Sequence, residues 1–122
     1  MAAVEASTLV ATNSQTSHVI TLDRAPVNGN ALIFVGIGFA PVTAVTDNGG
    51  ATPSYDLDLL IENGVNDNVW FSRPNVTDSP TTVTITSSSS TSLRGFIYEV
   101  SGLGPTNIAT QTDTGEAGTN TA

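Results

Sequence analysis

Residues 31–39, ALIFVGIGF, decide the fold of this chain. They form its longest apolar run, rich in Ile, Val and Phe. Turn formers close both ends, with Pro26, Asn28, Gly29 and Asn30 before the run and Pro41 after it. A helix would need about ten or more residues with caps, and two internal glycines weaken one. A short continuous run between turn signals reads instead as a central strand buried on both faces. The other candidate strands alternate more clearly and are expected to be half-exposed.

Upstream of this run, residues 4–12 carry a weak strand signal, and residues 13–17 read as a polar turn. Residues 18–22 alternate until Asp23-Arg24-Ala25-Pro26 breaks them. Downstream, residues 42–46 form a short strand ending in Asp47-Asn48-Gly49-Gly50, a strong turn signal because Asn and Gly tolerate positive φ. Residues 55–62 give the cleanest alternation in the chain. Tyr55, Leu57, Leu59 and Ile61 fall on one face, and Asp56, Asp58, Leu60 and Glu62 on the other. After the turn at Asn63-Gly64, Val69-Trp70-Phe71 begins a strand that Pro74 ends. Residues 81–87, TTVTITS, place Val83 and Ile85 on one face, and the serine run 87–90 reads as a loop. Residues 93–100 are the last strand, with Phe96, Tyr98 and Val100 on one side; Gly95 marks a bulge or close packing under an aromatic.

About eight short strands at spacings of roughly ten residues, with no convincing helix, predict an all-β fold. The expected form is an antiparallel β-sandwich, jelly-roll-like, over residues 1–103. From Ser101 onward the pattern collapses. Residues 104–122, poor in large apolar side chains and rich in Thr, Gly and Asn, read as either a flexible tail or a polar C-terminal arm that gains order only against a partner.

Composition narrows the function. With 122 residues the chain makes one domain with a modest core. Hydrophobic residues make up 39%, and twelve Ser and nineteen Thr are prominent. The net charge is −8, with three Arg and no Lys, which argues against nucleic acid or an acidic membrane as partner. There is no Cys, hence no disulfide framework or thiolate site. No apolar run reaches transmembrane length, and the N-terminus has no basic region before an apolar one. If Met1 is the natural start, the expected course is cytoplasmic synthesis without a cleaved signal.

Four segments in order, PVNGNALIFVGIGF, VTAVTDNGG, VWFSRPNVTDSPTTVTIT and FIYEVSGL, carry a resemblance. Together they resemble a recurrent all-β domain of phage virion and tail proteins and bacterial surface proteins. The shared pattern is a glycine-led hydrophobic strand, a Thr-Asp-x-x-Gly turn, an aromatic strand, a TVT strand and a terminal Glu-x-Ser-Gly-Leu-like segment. It covers roughly residues 19–103. Its motifs are structural punctuation. The resemblance implies display, adhesion or virion structure and brings no catalytic residues with it.

Candidate sites are few. Asp56 and Asp58 lie two apart on one strand face, about 7 Å by strand rise, with Glu62 beyond them and Asp47, Asn48 and Asp67 in flanking turns. They are weak candidates for a hard cation such as calcium. No contiguous loop carries the calcium-binding pattern, so the plainer reading is a solvated face that discourages edge pairing, with no metal and no cofactor. His18 is the single histidine, which excludes a multi-histidine metal site within one chain. Without a nucleophile elbow around any serine it reads as a surface or interface residue. Trp70 and Phe71 are adjacent, so one ring faces in and one out. The outward ring is an interface anchor or a sugar-stacking platform, and so few aromatics favour the interface. In the arm, residues 108–114, with Ile108, Thr110 and Thr112 foremost, are expected to contact another chain, by strand addition or as an arm laid across a neighbouring subunit.

These readings converge on a non-enzymatic structural protein acting by self-association and docking. It would be a phage virion component, such as a capsid decoration, tail or fibre protein, or an extracellular filament subunit. The expected partner is a homo-oligomer or a lattice of structural proteins. The competing class is a carbohydrate-binding or adhesion module using an exposed aromatic and an acidic edge.

Overall fold

A computed structural model describes residues 3–50, 55–62, 67–103 and 111–113. The described residues form seven strands and no helix. These are β1 (Ala3–Thr21), β2 (Ala31–Gly38), β3 (Val42–Asp47), β4 (Asp56–Glu62), β5 (Asp67–Arg73), β6 (Thr82–Ser101) and β7 (Gln111–Asp113). Six pair antiparallel in the order β1-β6-β2-β5-β4, with β3 also on β6, and β7 adds parallel to the outside of β4. The fold is all-β, as the alternation predicts.

The architecture rests on two long strands, β1 with 19 residues and β6 with 20. Their pairing starts at Ala3↔Ser101 and ends at Thr21↔Thr82. The far half of β6 holds β2 on its other side, while the near half holds β3. One ladder therefore runs through both halves of the molecule. Val10, Leu32, Phe34, Phe71, Leu93 and Ile97 from one half join Ile20, Val45, Val83 and Ile85 from the other in a single core. That shared core is the sandwich-like layer expected from sequence.

Two segments expected to leave the strands stay in them. Residues 13–17 and 87–90 lie inside β1 and β6, at the bend where the register shifts between Thr12, Gln15 and Ser17. Ser14 takes a positive φ of 39° there. Serine favours loops because its hydroxyl competes for backbone groups. Here that competition is used within the strand. The Ser87 hydroxyl donates to the Ser89 carbonyl at 3.0 Å, and the Ser88 amide donates to the Pro41 carbonyl at 2.9 Å. The two predicted strand pairs thus fuse, reducing about eight expected strands to six, and β7, which was not expected as a strand, makes the seventh.

The central run behaves on one face as predicted. Leu32 and Phe34 are buried, whereas Ile33, Val35 and Ile37 on the opposite face are half-buried. Gly36 makes room for the core, because a Cβ there would meet the Phe34 ring at 2.3 Å. Across the ladder, a Cβ on Gly95 would lie 2.2 Å from the Val35 carbonyl oxygen. The close packing expected at Gly95 is therefore with backbone.

The alternation over β4 is broken. Leu57 pairs with Phe71 and Leu59 with Trp70, so a bulge at Asp58 intervenes. Leu57 and Leu60 pack against the core, while Leu59 turns outward with Trp70. The expectation that Leu57 and Leu59 share a face is corrected by that one extra residue.

Candidate functional site, an aromatic outer face

Antiparallel pairing places directly opposed residues on one side of a sheet. Following the register from β1 to β4 gives an unbroken row: Leu9↔Phe96, Phe96↔Val35, Val35↔Trp70 and Trp70↔Leu59. All five side chains point away from the core. Leu9 is 62% exposed, Trp70 44% and Phe96 42%. Tyr98 joins this face by stacking on Phe96 with ring centroids 5.8 Å apart. The next row runs Arg94, Ile37 and Asn68. Between the two rows lies a shallow open trough, walled by Trp70 and Phe96, floored by Val35 and Ile37, and flanked by Arg94 and Asn68.

The expected division of Trp70 and Phe71 is observed, Phe71 at 4% exposure in the core and Trp70 outside. Sequence reading misses Leu9, Val35 and Arg94 as neighbours of Trp70. The outward apolar positions in strands 4–12 and 93–100 are the available signal, but only register joins them.

Arg94 is the odd cation of the chain. Arg24 pairs with Glu99 at 2.9 Å, and Arg73 pairs with Asp47 at 2.7 Å and Asp78 at 2.9 Å. Arg94 has no carboxylate partner among the described residues. Its guanidinium is held by the carbonyls of Thr12 and Leu93, both at 2.7 Å, and by Asn13 Oδ1 at 3.0 Å. It therefore sits fixed beside the trough with charge to spare.

The remaining polar candidates act as structure. The Asp47 side chain is wholly buried and accepts from the Gly49 amide at 2.8 Å, the Tyr55 hydroxyl at 2.9 Å and Arg73 at 2.7 Å. Asn48 accepts from the amides of Thr81 and Thr82 at 2.8 and 3.0 Å. Both groups are engaged in closing the core. Glu99 does the same at the other end, accepting from Arg24, the Val27 amide and Asn30. Burial opposes its charge, yet these donors, Arg24 foremost, hold its carboxyl below the ordinary range.

Asp56 is exposed and Asp58 is 2% exposed, so the expected shared acidic face does not form. The Ser72 hydroxyl lies close enough to the Asp58 carboxyl to favour its charge, but among the described residues the geometry of a full hydrogen bond is not reached at either group. Burial pushes the Asp58 carboxyl above the usual range, Ser72 opposes the shift and Asp56 adds to it. No cluster of three metal-ligating side chains occurs among the described residues.

His18 is fully buried, correcting its expected place at a surface or interface. It sits at the bend, with Nδ1 2.5 Å from Thr12 Oγ1 and Nε2 3.4 Å from Ser87 Oγ. A hydroxyl stands where a catalytic triad would have a carboxylate, and Ser87 is 4% exposed. The cluster braces the bend.

Of the arm residues, Thr112 lies in β7 opposite Leu60 of its own chain. Ile108 and Thr110 lie outside the described residues. Strand addition by this segment occurs within the chain, on the free edge of β4. No protein-family model, curated protein or solved structure is detectably similar to the chain. Fold and site together define an all-β domain with an aromatic-bearing outer face.

Proposed function

We propose that this protein is a non-enzymatic structural domain that works by self-association and docking in a virion or another extracellular assembly. The observation that carries the reading is the outer row Leu9, Phe96, Val35, Trp70 and Leu59. Large exposed apolar side chains in one contiguous patch mark interaction surfaces. Trp is among the residues most enriched at binding hot spots, and Trp70 stands in this row between Val35 and Leu59. The virion or surface setting rests on the resemblance carried by residues 19–103.

Light scattering over a concentration series tests this. Wild type is expected to form species larger than a dimer. Trp70→Ser and Phe96→Ser should each raise the concentration needed by about tenfold or more, as hot-spot truncations do. A wild-type chain that never exceeds a dimer overturns the reading.

The trough favours a second reading. Aromatic walls stack sugar rings, and a fixed arginine with no carboxylate partner among the described residues suits an acidic sugar. A monomer that binds uronic-acid oligosaccharides and loses them in Arg94→Gln would reverse the order of the two.

A further inference from the structure

We propose that two copies of this chain pair edge to edge through residues 6–12 of β1, antiparallel and centred on Leu9. This rests on the self-association reading and names one surface that carries it. β1 is an outer strand of the sheet and, among the described residues, pairs only with β6. Its other side therefore presents amides and carbonyls with no strand partner among the described residues, a template for another strand, with only the Thr12 carbonyl at the end of the segment already accepting, from Arg94. Natural sheets protect such edges with charges, proline, bulges or a covering element. β1 has bulges at Val4/Ala6 and beyond Thr12, which leave residues 6–12 in unbroken register. That segment, ASTLVAT, contains no charge and no proline.

The other edges are managed. β4 carries Asp56, Asp58 and Glu62 and is already covered by β7. β3 is six residues long and ends in the core-closing Asp47. In a chain of net charge −8, the long neutral edge is where two copies meet with least repulsion.

The segment is also self-complementary. An antiparallel two-fold on Leu9 opposes Leu9 with Leu9 of the second copy, Ser7 with Ala11, Thr8 with Val10 and Ala6 with Thr12. No like charges face each other and each pair is small or apolar. A two-fold perpendicular to the sheet keeps both outer faces on the same side. The row from Leu59 to Leu9 then continues through the second copy, doubling the apolar band. The occupant is thus a second copy, joined by backbone hydrogen bonds.

Sedimentation of the full chain with Leu9→Lys is the first test. Leu9 is 62% exposed, so folding and melting temperature should hold, while opposed lysines raise the dimer dissociation constant by about tenfold or more. The second test uses the absence of cysteine. Leu9→Cys should give a disulfide-linked dimer under mild oxidation, because opposed Cβ atoms are about 4.5–5.5 Å apart. Val19→Cys, equally exposed but beyond the bend, should not. A monomeric wild type, a dimer indifferent to Leu9→Lys, or equal cross-linking at both positions overturns the proposal. A dimer broken by Trp70→Ser but not Leu9→Lys overturns it while leaving the docking face standing. Loss of large species in Trp70→Ser with the dimer intact supports both.

Discussion

At the residue scale the buried ionisable groups give the sharpest expectations. Burial lowers the pKa of His18, with a backbone contact at Gln15 opposing the shift. The unfolded chain therefore binds that proton more readily than the folded one. Its contribution to stability is complete above the unfolded value of about 6.5 and falls as pH drops through it, by at most about 1.4 kcal/mol per pH unit. Urea unfolding between neutral and mildly acidic pH should show this slope, and His18→Gln should flatten it. Asp58 works in the opposite sense. Its raised pKa means the folded state keeps a proton that the unfolded state releases, so burying the charged carboxylate weakens the fold near neutrality. Asp58→Asn is expected to stabilise by about 1 kcal/mol at pH 7, and exposed Asp56→Asn to change little. A loss in Asp58→Asn would mean the carboxylate has a partner.

Packing at single residues separates the two faces. Phe34 is fully buried, and Phe34→Ala should cost about 3–5 kcal/mol. Gly36→Ala drives a methyl into the same ring, and overpacking of this kind costs about 1–3 kcal/mol. Leu57→Ala should lower the urea midpoint clearly, whereas Leu59→Ala should leave it nearly unchanged and weaken association instead. Equal losses in both leucine variants would place the bulge elsewhere.

At the scale of elements, the chain announces its strands through local chemistry. Residues 31–39 read as a central strand from an apolar run between turns, and β2 occupies 31–38. The Asp47 turn was legible because Asp and Asn side chains close turns on their own backbone, as Asp47 does in accepting from the Gly49 amide, although none of Asn48, Gly49 and Gly50 takes the positive φ expected of them. The bulge at Asp58 was not legible, since one inserted residue leaves the alternation of Tyr55 to Ile61 intact on paper and reverses it in space. The serine run misled for a related reason, its hydroxyls serving a bend inside a strand. The outer row was hidden because its members come from β1, β2, β4, β5 and β6, and only pairing brings them side by side. β7 offers a test at this scale. It contributes three pairs to β4, so truncation after Leu103 should leave the domain folded and lower its stability by no more than about 3 kcal/mol. Unfolding of the truncated chain in thermal melts would show a larger role for the C-terminal segment.

For the whole molecule, net charge decides how solution conditions act. Two chains of −8 repel, and added salt screens that repulsion. Self-association through the neutral β1 edge should therefore tighten between about 0.05 and 0.5 M salt, while an acidic ligand held by Arg94 should bind more weakly over the same range. Chelator is expected to leave the melting temperature unchanged, because Asp47 and Glu99 are neutralised by Arg73 and Arg24. A drop reversed by calcium would reveal a structural ion.

The span of the β1–β6 ladder also governs how the chain reaches its native state. Thr21 meets Thr82 and Ala3 meets Ser101, so β1 is made about 60 to 100 residues before the strand it pairs with. Loop closure over such separations is slow, and contacts of this range place a protein among the millisecond-to-second folders. The β2–β5 and β4–β5 ladders close over shorter distances and can assemble while β1 waits unpaired. During that interval the β6 of a neighbouring chain can take the place of its own once chains are concentrated enough to rival the tethered strand. Refolding at high concentration should therefore trap exchanged dimers, in which each β1 completes the other copy's sheet.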